Sequence, residues 1–456
     1  MSLSIIILAA GQGKRMRSRL PKVLHQLAGR TLLEHVHVSA LQLNARAIHI
    51  VYGFGGRQVP ETLAHLQGVN WVEQKKQLGT GHAVRQAIAH IPIVDDVLIV
   101  YGDVPLITSQ TLQRLVAAAE ETGFSLMTSY IDDPKGYGRI IRDGQGEVLR
   151  IVEDQDSSEE ESSVCEINTG MMTVKAKYLS RWLEELDNKN EQGEFYLTDI
   201  VAKAVAEGVV INTTQPDAVS EIRGINDRMQ LAEMERYYQL IQAHHLMRQG
   251  VTLMDPARFD LRGELETGRD ITVDVNVVLE GSISIGDGVT IGPNCWIKDA
   301  DIADGVVILP NCVIENAVIG KDSRIGPFAR IRPGTRLARD VHVGNFVEVK
   351  NSEVANGSKM NHLSYIGDAE IGKDCNIGAG TITCNYDGAN KHKTIIGNDV
   401  HIGSDTQLIA PVKIGNGVTI GAGTTVTRDI ESNRLVHNKI ERREVKGWKR
   451  PKKKRD

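Results

Sequence analysis

Aliphatic residues return at every sixth position from Ile319 through Ile325, Ile331, Leu337 and Val343 to Val349, and again from Ile396 through Ile402, Leu408, Ile414 and Ile420 to Val426. Six steps of a 3.6-residue period turn a side chain to a different face, so no amphipathic helix uses this spacing. Glycine commonly follows the aliphatic residue, as in Ile325-Gly326, Ile371-Gly372, Ile402-Gly403 and Ile414-Gly415, which places a conformationally free backbone unit once per repeat. The pattern predicts a hexapeptide solenoid of short parallel strands over residues 251–456. Between the two runs the count breaks at His362–Tyr365 and over Gly378–Thr394, and polar, reactive residues gather at those breaks.

Residues 1–226 follow another rhythm. Strand-like runs at Ser4–Leu8, Ala47–Tyr52, Asp96–Tyr101 and Phe124–Tyr130 alternate with helix-like stretches at Thr111–Thr122 and Tyr196–Glu207. This predicts an α/β domain with a mostly parallel sheet, whose ligands bind at the carboxyl ends of the strands. Ser157–Ser163 is expected to be a solvated acidic loop. From Asp227 to Arg248 the spacing is helical, without Gly or Pro until Gly250, so residues 227–250 are expected to form a connecting arm of roughly 30 Å. His244 and His245 within it point apart on a helix and are not a metal pair.

Length and composition narrow the classes. A chain of 456 residues exceeds one ordinary core. With 24% charged residues and a formal net charge of −5, bulk nucleic-acid binding is not expected. The apolar run Ser4–Ala10 is too short for a membrane span, and basic residues follow it instead of preceding it. Aromatics make up only 4%, which suits a narrow solenoid interior. Five scattered cysteines without a CxxC pair suggest reduced thiols in the cytoplasm.

Two groups of residues carry chemistry. After the first strand, Leu8-Ala9-Ala10-Gly11-Gln12-Gly13-Lys14-Arg15-Met16 leads to Pro21-Lys22, a Gly-rich turn with cations beside its amides. Such a turn binds phosphate, although a lone GxG also fits a tight strand–helix connection. In the C-terminal half Arg332, Glu348, Lys350, His362, Tyr365 and Asn376 sit on or beside successive coils, where a solenoid can bring them together. Arg and Lys suit a phosphate, Asn and Tyr suit sugar hydroxyls, and His is the default base near neutral pH. A lone histidine also fits a structural role; the break in the repeat favours the functional one.

The N-terminal string, with Tyr101-Gly102-Asp103-Val104-Pro105-Leu106, resembles the sugar-1-phosphate nucleotidyltransferases. The resemblance implies a Rossmann-like domain in which Leu8, Ala9, Ala10, Gly11, Gln74, Gly79, Thr80, Tyr101 and Gly102 hold a uridine nucleotide. It also implies that Gly138, Glu153 and Asn168 bind the sugar, that Lys22 and Arg15 neutralise phosphate charge, and that Asp103 and Asn226 hold Mg²⁺.

The C-terminal repeat resembles the hexapeptide acyltransferases, which implies a left-handed parallel β-helix and a homotrimer. The two halves in this order resemble the bacterial bifunctional N-acetylglucosamine-1-phosphate uridyltransferases and glucosamine-1-phosphate N-acetyltransferases. By that resemblance His362 is the base, Glu348 orients or charges its ring, and Arg332, Lys350, Tyr365 and Asn376 bind glucosamine 1-phosphate. Ala379, Asn385, Tyr386, Ser404, Ala422 and Lys439 would line the acetyl-CoA groove. Lys439 departs from the family's usual Arg and loses its bidentate fork, so the contact weakens or passes to Arg442. The expected partners are UTP, acetyl-CoA and glucosamine 1-phosphate, with no nucleic acid and no membrane insertion. The alternative is a nucleotidyltransferase of single activity whose β-helix serves only oligomerisation. The basic tail Lys446–Asp456 reads either as a solvated end or as cations that, with Trp448, close over the coenzyme phosphates.

Overall fold

The computed structural model describes residues 2–439 and 442–451; Met1, Ile440, Glu441 and residues 452–456, the last five of the basic tail, lie outside the described residues. Two compact units divide between Tyr238 and Gln239.

In the first unit, β1 (Leu3–Ala9) continues through α1 (Leu32–Leu41) into β2 (Ala47–Tyr52) and β3 (Val69–Glu73). Next come α2 (Thr80–Ile88), β4 (Asp96–Tyr101), α3 (Ser109–Ala118), β5 (Phe124–Tyr130), β6 (Arg139–Arg142) and β7 (Val148–Val152). The unit ends with β8 (Glu166–Lys175), α4 (Ala176–Glu184), α5 (Asp199–Ala206) and β9 (Asn212–Thr214). The sheet runs β9-β5-β8-β4-β1-β2-β3, with β6 joined to β8 and β7 to β6. Strands β1 to β4 are mutually parallel and β8 is antiparallel to β4. Ile5, Ile6 and Ile7 are all fully buried, as expected of a strand covered by helices on both faces. Ile6 and Leu8 pack with α2, α4 and α5, and Ile5 and Ile7 pack with α1 and α3. The chain leaves β1 on one side, to β2 and β3, and returns on the other at β4. The carboxyl ends of β1 and β4 therefore flank the crevice where the strand order reverses. The segment read as an acidic loop contains one helical turn, Glu159–Ser162, begun by a Ser158–Glu161 capping box.

Helix α6 (Arg228–Arg248) is shared between the units. Met234 packs with Leu27, Leu32, Leu106 and Ile225 in the first. Ala243 and Leu246 belong to the core of the second, where the Gln239 side chain bonds both the N–H (2.7 Å) and the carbonyl (3.0 Å) of Leu261. The expected arm is thus packed at both ends, and His244 and His245 are both exposed.

The second unit is a parallel solenoid. Most of its pairings step by seventeen or eighteen residues, as from Ile308 to Ile325 and from Ile325 to Val343, and the step lengthens to 25 from Ile377 to Ile402. One turn is therefore three hexads, laid on three faces. Every aliphatic of the two six-residue runs is buried, each contributing about 1.5–3 kcal/mol. The turns of seventeen lose one residue at a single corner, between the second and third faces. There Ile297 is followed by Ile302, Ile314 by Ile319, Val349 by Val354 and Ile366 by Ile371. Asp299, Asn316, Asn351 and Asp368 turn that corner with positive φ, a conformation that Asn and Asp tolerate better than other side chains. This corrects the sequence reading: Met360 and Ile366 are six apart and both buried, so the repeat does not break at His362–Tyr365. The second expected break is real but narrower. The coil continues through Asn385, which stands seventeen residues after the corner residue Asp368, and residues 386–393 alone are inserted before the strand Thr394–Ile396, at that same corner.

His25, His35, His37 and His49 are buried in the first unit, and burial is the main cause that lowers each ring's pKa from its ordinary 6.5. Such rings stay neutral when folded and take up protons when unfolded, so their contribution to stability falls as pH drops below about 6.5. The urea midpoint reported by fluorescence of Trp182, which is fully buried in this unit, is expected to be lower at pH 5.5 than at pH 7.5. An equal midpoint at both pH values would contradict this.

Candidate active sites

At the end of β1 the chain turns through Ala10 and Gly11, whose missing side chain faces open space. Gly13 has φ +59°, and a Cβ there would lie 2.7 Å from that of Lys22, so glycine lets the turn fold against this lysine. At the end of β4, Tyr101 stands beside Leu8 in register, and the Gly102 N–H donates to the Leu8 carbonyl (2.9 Å). Asp103 follows directly. The Lys22 ammonium donates to Asp103 and to Asn226 Oδ1 (3.0 Å). The Ile225 N–H bonds the Asp103 carbonyl (2.9 Å), so the main chain also ties Asn226 to this strand end. Two side-chain oxygens thus converge on one cation. Hard oxygens of this kind fit a divalent ion that takes its remaining ligands from phosphates and water; among the described residues no group of three His, Cys, Asp or Glu could hold a metal alone. Arg15 is exposed at the rim.

Gln74 is buried at the end of β3, and its amide nitrogen donates to the Gly79 carbonyl (3.1 Å). Gly79 has φ +100°, and a Cβ there would meet the Phe195 carbonyl at 2.7 Å. Thr80 begins α2, and its hydroxyl accepts from the Leu197 N–H (3.1 Å). Gly138, Glu153 and Asn168 lie together: the Asn168 N–H donates to the Gly138 carbonyl (2.8 Å), and a Cβ on Gly138 would stand 3.6 Å from Glu153 Oε2. Thr198 donates to Glu153 Oε1 (2.9 Å), yet burial still pushes this carboxyl above its ordinary value. Burial, with Glu153 and Asp103 nearby, pushes the Tyr101 phenol up as well, so it remains a donor. The ends of β1, β3 and β4 thus carry the expected nucleotide residues on neighbouring strands, and the expected sugar residues lie near enough for Glu153 to act on Tyr101.

On the solenoid, His362 pairs with Asn345 one coil earlier, and its Nδ1 lies 2.8 Å from Asn345 Oδ1. An amide oxygen only accepts, so Nδ1 donates to it, and in the neutral ring Nε2 is the nitrogen that holds the lone pair. Leu363, Gly380, Asp405 and Gly423 all have positive φ and turn the same corner on successive coils. Each of His362, Ala379, Ser404 and Ala422 precedes one of them. Four expected residues thus form one row along the solenoid.

On the second face Arg330, Glu348, Tyr365 and Ile382 stand opposite one another. Glu348 pairs with Arg332 at 2.8 Å and makes no bond to His362. Within the chain, Asn345 is the residue that holds the ring. The Lys350 ammonium lies 3.6 Å from Asp368. The Asn385 amide donates to Asp368 and stands 3.5 Å from the Tyr365 hydroxyl. Burial alone would raise the Asp368 carboxyl, but bonds from Asn351 and Asn385 and the charges of Lys350 and Lys391 hold it below its ordinary value. Asn376 lies on the first face, opposite Lys359 and His401. Residues 385–393 form a small hairpin in which Tyr386 pairs with Lys391. The Asp387 carboxylate caps its tip by accepting from the N–H groups of Ala389 (2.8 Å) and Asn390 (2.7 Å). Lys439 is exposed, as is Trp448 in the described part of the tail. Sequence reasoning missed Asn345 and Asp368. Each stands seventeen residues, one coil, from a residue it did find, His362 and Asn385.

Comparison with known proteins matches residues 5–158 to the MobA-like NTP transferase domain. Residues 262–354 match the GMPPB C-terminal domain, and residues 393–428 match the bacterial transferase hexapeptide (six repeats). A solved chain, UDP-glucose pyrophosphorylase complexed with UDP-glucose, matches 52% of this chain and 98% of that chain at 15% identity and a TM-score of 0.44, a likeness below what shows a shared fold. Bifunctional protein GlmU of Methylococcus capsulatus is 58% identical over 100% of this chain and 99% of its own length. Bifunctional protein GlmU of Azoarcus sp. is 55% identical over 99% of this chain and 100% of its own length. With a nucleotidyltransferase unit and a hexapeptide-repeat solenoid matched over essentially full length, the chain belongs to the GlmU family of bifunctional uridylyltransferase–acetyltransferases.

Proposed function

We propose that the chain makes UDP-N-acetylglucosamine in two steps: acetyl transfer to glucosamine 1-phosphate on the solenoid, then uridylyl transfer from UTP in the first unit. The observation that carries the first step is the His362–Asn345 bond, which leaves Nε2 as a base beside the row of Ala379, Ser404 and Ala422. His362 Nε2 takes a proton from the sugar amine as the nitrogen attacks the thioester carbonyl, and coenzyme A leaves as the thiol. The Ala379 N–H, which no backbone bond engages among the described residues, donates to the developing oxyanion. Arg332 and Lys350 hold the sugar phosphate, and Tyr365 and Asn376 hold the sugar hydroxyls. Asn385, Tyr386 and Lys439 bind the coenzyme, Lys439 as a point charge.

In the first unit the phosphate of N-acetylglucosamine 1-phosphate is already an anionic nucleophile, so the site needs no general base. Lys22 and Arg15 neutralise charge at the α-phosphate of UTP, and the amides of the turn at Ala10–Gly11 face it. Gln74, Gly79 and Thr80 bind the uridine, while Gly138, Glu153 and Asn168 bind the sugar. Asp103 and Asn226 would hold Mg²⁺, which supplies further charge neutralisation. We place the enzyme in the cytoplasm, where its substrates are made and where five free thiols persist, as a homotrimer.

Mass spectrometry of products from UTP, acetyl-CoA and glucosamine 1-phosphate tests the division. Asp103→Asn or Lys22→Ala should abolish formation of the UDP-sugar and still release coenzyme A, whereas His362→Ala should abolish the acetylated sugar and leave uridylyl transfer from supplied N-acetylglucosamine 1-phosphate intact. Coenzyme A release lost along with nucleotidyl transfer in Asp103→Asn would contradict separate sites. Asn345→Ala, which frees the imidazole, should lower the kcat of acetyl transfer by about tenfold, the worth of roughly 1.4 kcal/mol. An unchanged kcat would remove Asn345 from the mechanism.

A further inference from the structure

Gln74 is almost wholly buried, and its amide is held at two points. Its nitrogen donates to the Gly79 carbonyl (3.1 Å) and lies 3.0 Å from Nδ1 of His82, in the first turn of α2. The Gly79 carbonyl accepts only, so the nitrogen end of the amide must face it, and Nδ1 of His82 must then be the unprotonated ring nitrogen. Burial, and to a smaller extent the charge of Arg85, lower the pKa of His82 and keep that lone pair available. The Gln86 amide nitrogen donates to the His82 carbonyl and stands 3.3 Å from the other ring nitrogen, a longer contact than that of Gln74, so the closer Gln74 amide decides the tautomer; Phe195 packs beside the ring, 6.4 Å between centroids. The Gln74 oxygen has no bonded partner among the described residues and is not sealed from solvent. Gly53 has no room for a side chain: a Cβ would lie 2.9 Å from the Gln74 carbonyl and 3.1 Å from the Ala10 side chain. The main chain at Gln74 therefore runs close beside the turn that follows β1.

We infer that His82 is a positioning residue for base selection: it locks the Gln74 amide with its oxygen toward the crevice, so that the site accepts a pyrimidine presenting a ring N–H. This rests on Gln74 being the residue that meets the base. Uracil carries a hydrogen on N3 and donates it to the Gln74 oxygen. Cytosine presents a lone pair at N3, so the two acceptors oppose each other. To suit cytosine the amide must turn end for end. Its oxygen would then face the Gly79 carbonyl and the His82 Nδ1 lone pair, replacing two bonds with two repulsive contacts. Discrimination of this kind comes from buried polar groups left unpaired by the wrong substrate.

Full-length protein carrying His82→Phe, which keeps ring bulk and removes the acceptor, is compared with His82→Asn, whose side-chain oxygen can stand in for Nδ1. The readout is kcat and KM for UTP and for CTP in pyrophosphate release, with coenzyme A release and Trp182 fluorescence checking the fold. His82→Phe should lower the UTP-to-CTP ratio of kcat/KM by about tenfold, mainly through a higher KM for UTP. His82→Asn should keep the wild-type ratio. Gln74→Ala should lower the ratio too. A wild-type ratio in His82→Phe while Gln74→Ala lowers it would overturn the role of His82. A wild-type ratio in both would show that the assignment of Gln74 to the base is itself wrong. Equal loss in His82→Asn and His82→Phe would mean that the ring's packing, not its acceptor nitrogen, is what matters, and would also overturn the proposal.

Discussion

The backbone ladder of the solenoid sets a distance of seventeen or eighteen residues between neighbours in space on most coils, and almost everything in the C-terminal half follows from it. Parallel strands stack about 4.8 Å apart, so residues one coil apart become side-by-side partners however different their local sequences. Asn345 meets His362, Glu348 meets Tyr365, and Asn351 bonds Asp368 (2.6 Å) by the same rule. A short linear motif cannot build such a site, because each coil supplies only one or two outward positions per face. The interior aliphatics hold the pitch, and the corners decide which side chains line up.

Corners are also where the repeat can change without loss of core. The corner between the second and third faces gives up one residue in most turns and receives the eight inserted residues of the hairpin once. Neither change moves a buried aliphatic, since both fall where the backbone already leaves the ladder. Asn385 meets Asp368 by the ordinary seventeen-residue step, and the insertion after it brings Lys391 beside Lys350, whose ammonium pushes the Lys391 pKa down. A corner loop thus furnishes polar groups while the three walls stay regular.

The first unit solves the same problem by other means. Its sheet reverses strand order at β1, and only there do the ends of two adjacent parallel strands open onto a shared crevice. Lys22, Asp103 and Asn226 are far apart in the chain, yet two hydrogen bonds of one ammonium unite them. Glycines at Gly13 and Gly79 allow the close approaches that such convergence demands.

Much of this was legible in the residues themselves. The six-residue period dictates a solenoid, because no other regular structure buries that spacing, and the strands Ala47–Tyr52, Asp96–Tyr101 and Phe124–Tyr130 end where their apolar runs end. The turn after β1 and the Tyr101-Gly102-Asp103 segment announced a nucleotide crevice, since phosphate binding needs free amides and local cations. Reading His362 from a supposed break in the repeat reached a residue at the corner row for a mistaken reason: its register is intact, and the lost residue lies at Asn351 and Asp368. The partner of the imidazole and the lock on the Gln74 amide were decided by tertiary structure alone. Sequence determines which positions are buried and which backbone turns are permitted, because those depend on each residue and its near neighbours. Which polar atom faces which depends on coil register and strand order, and these exist only once the chain has closed on itself.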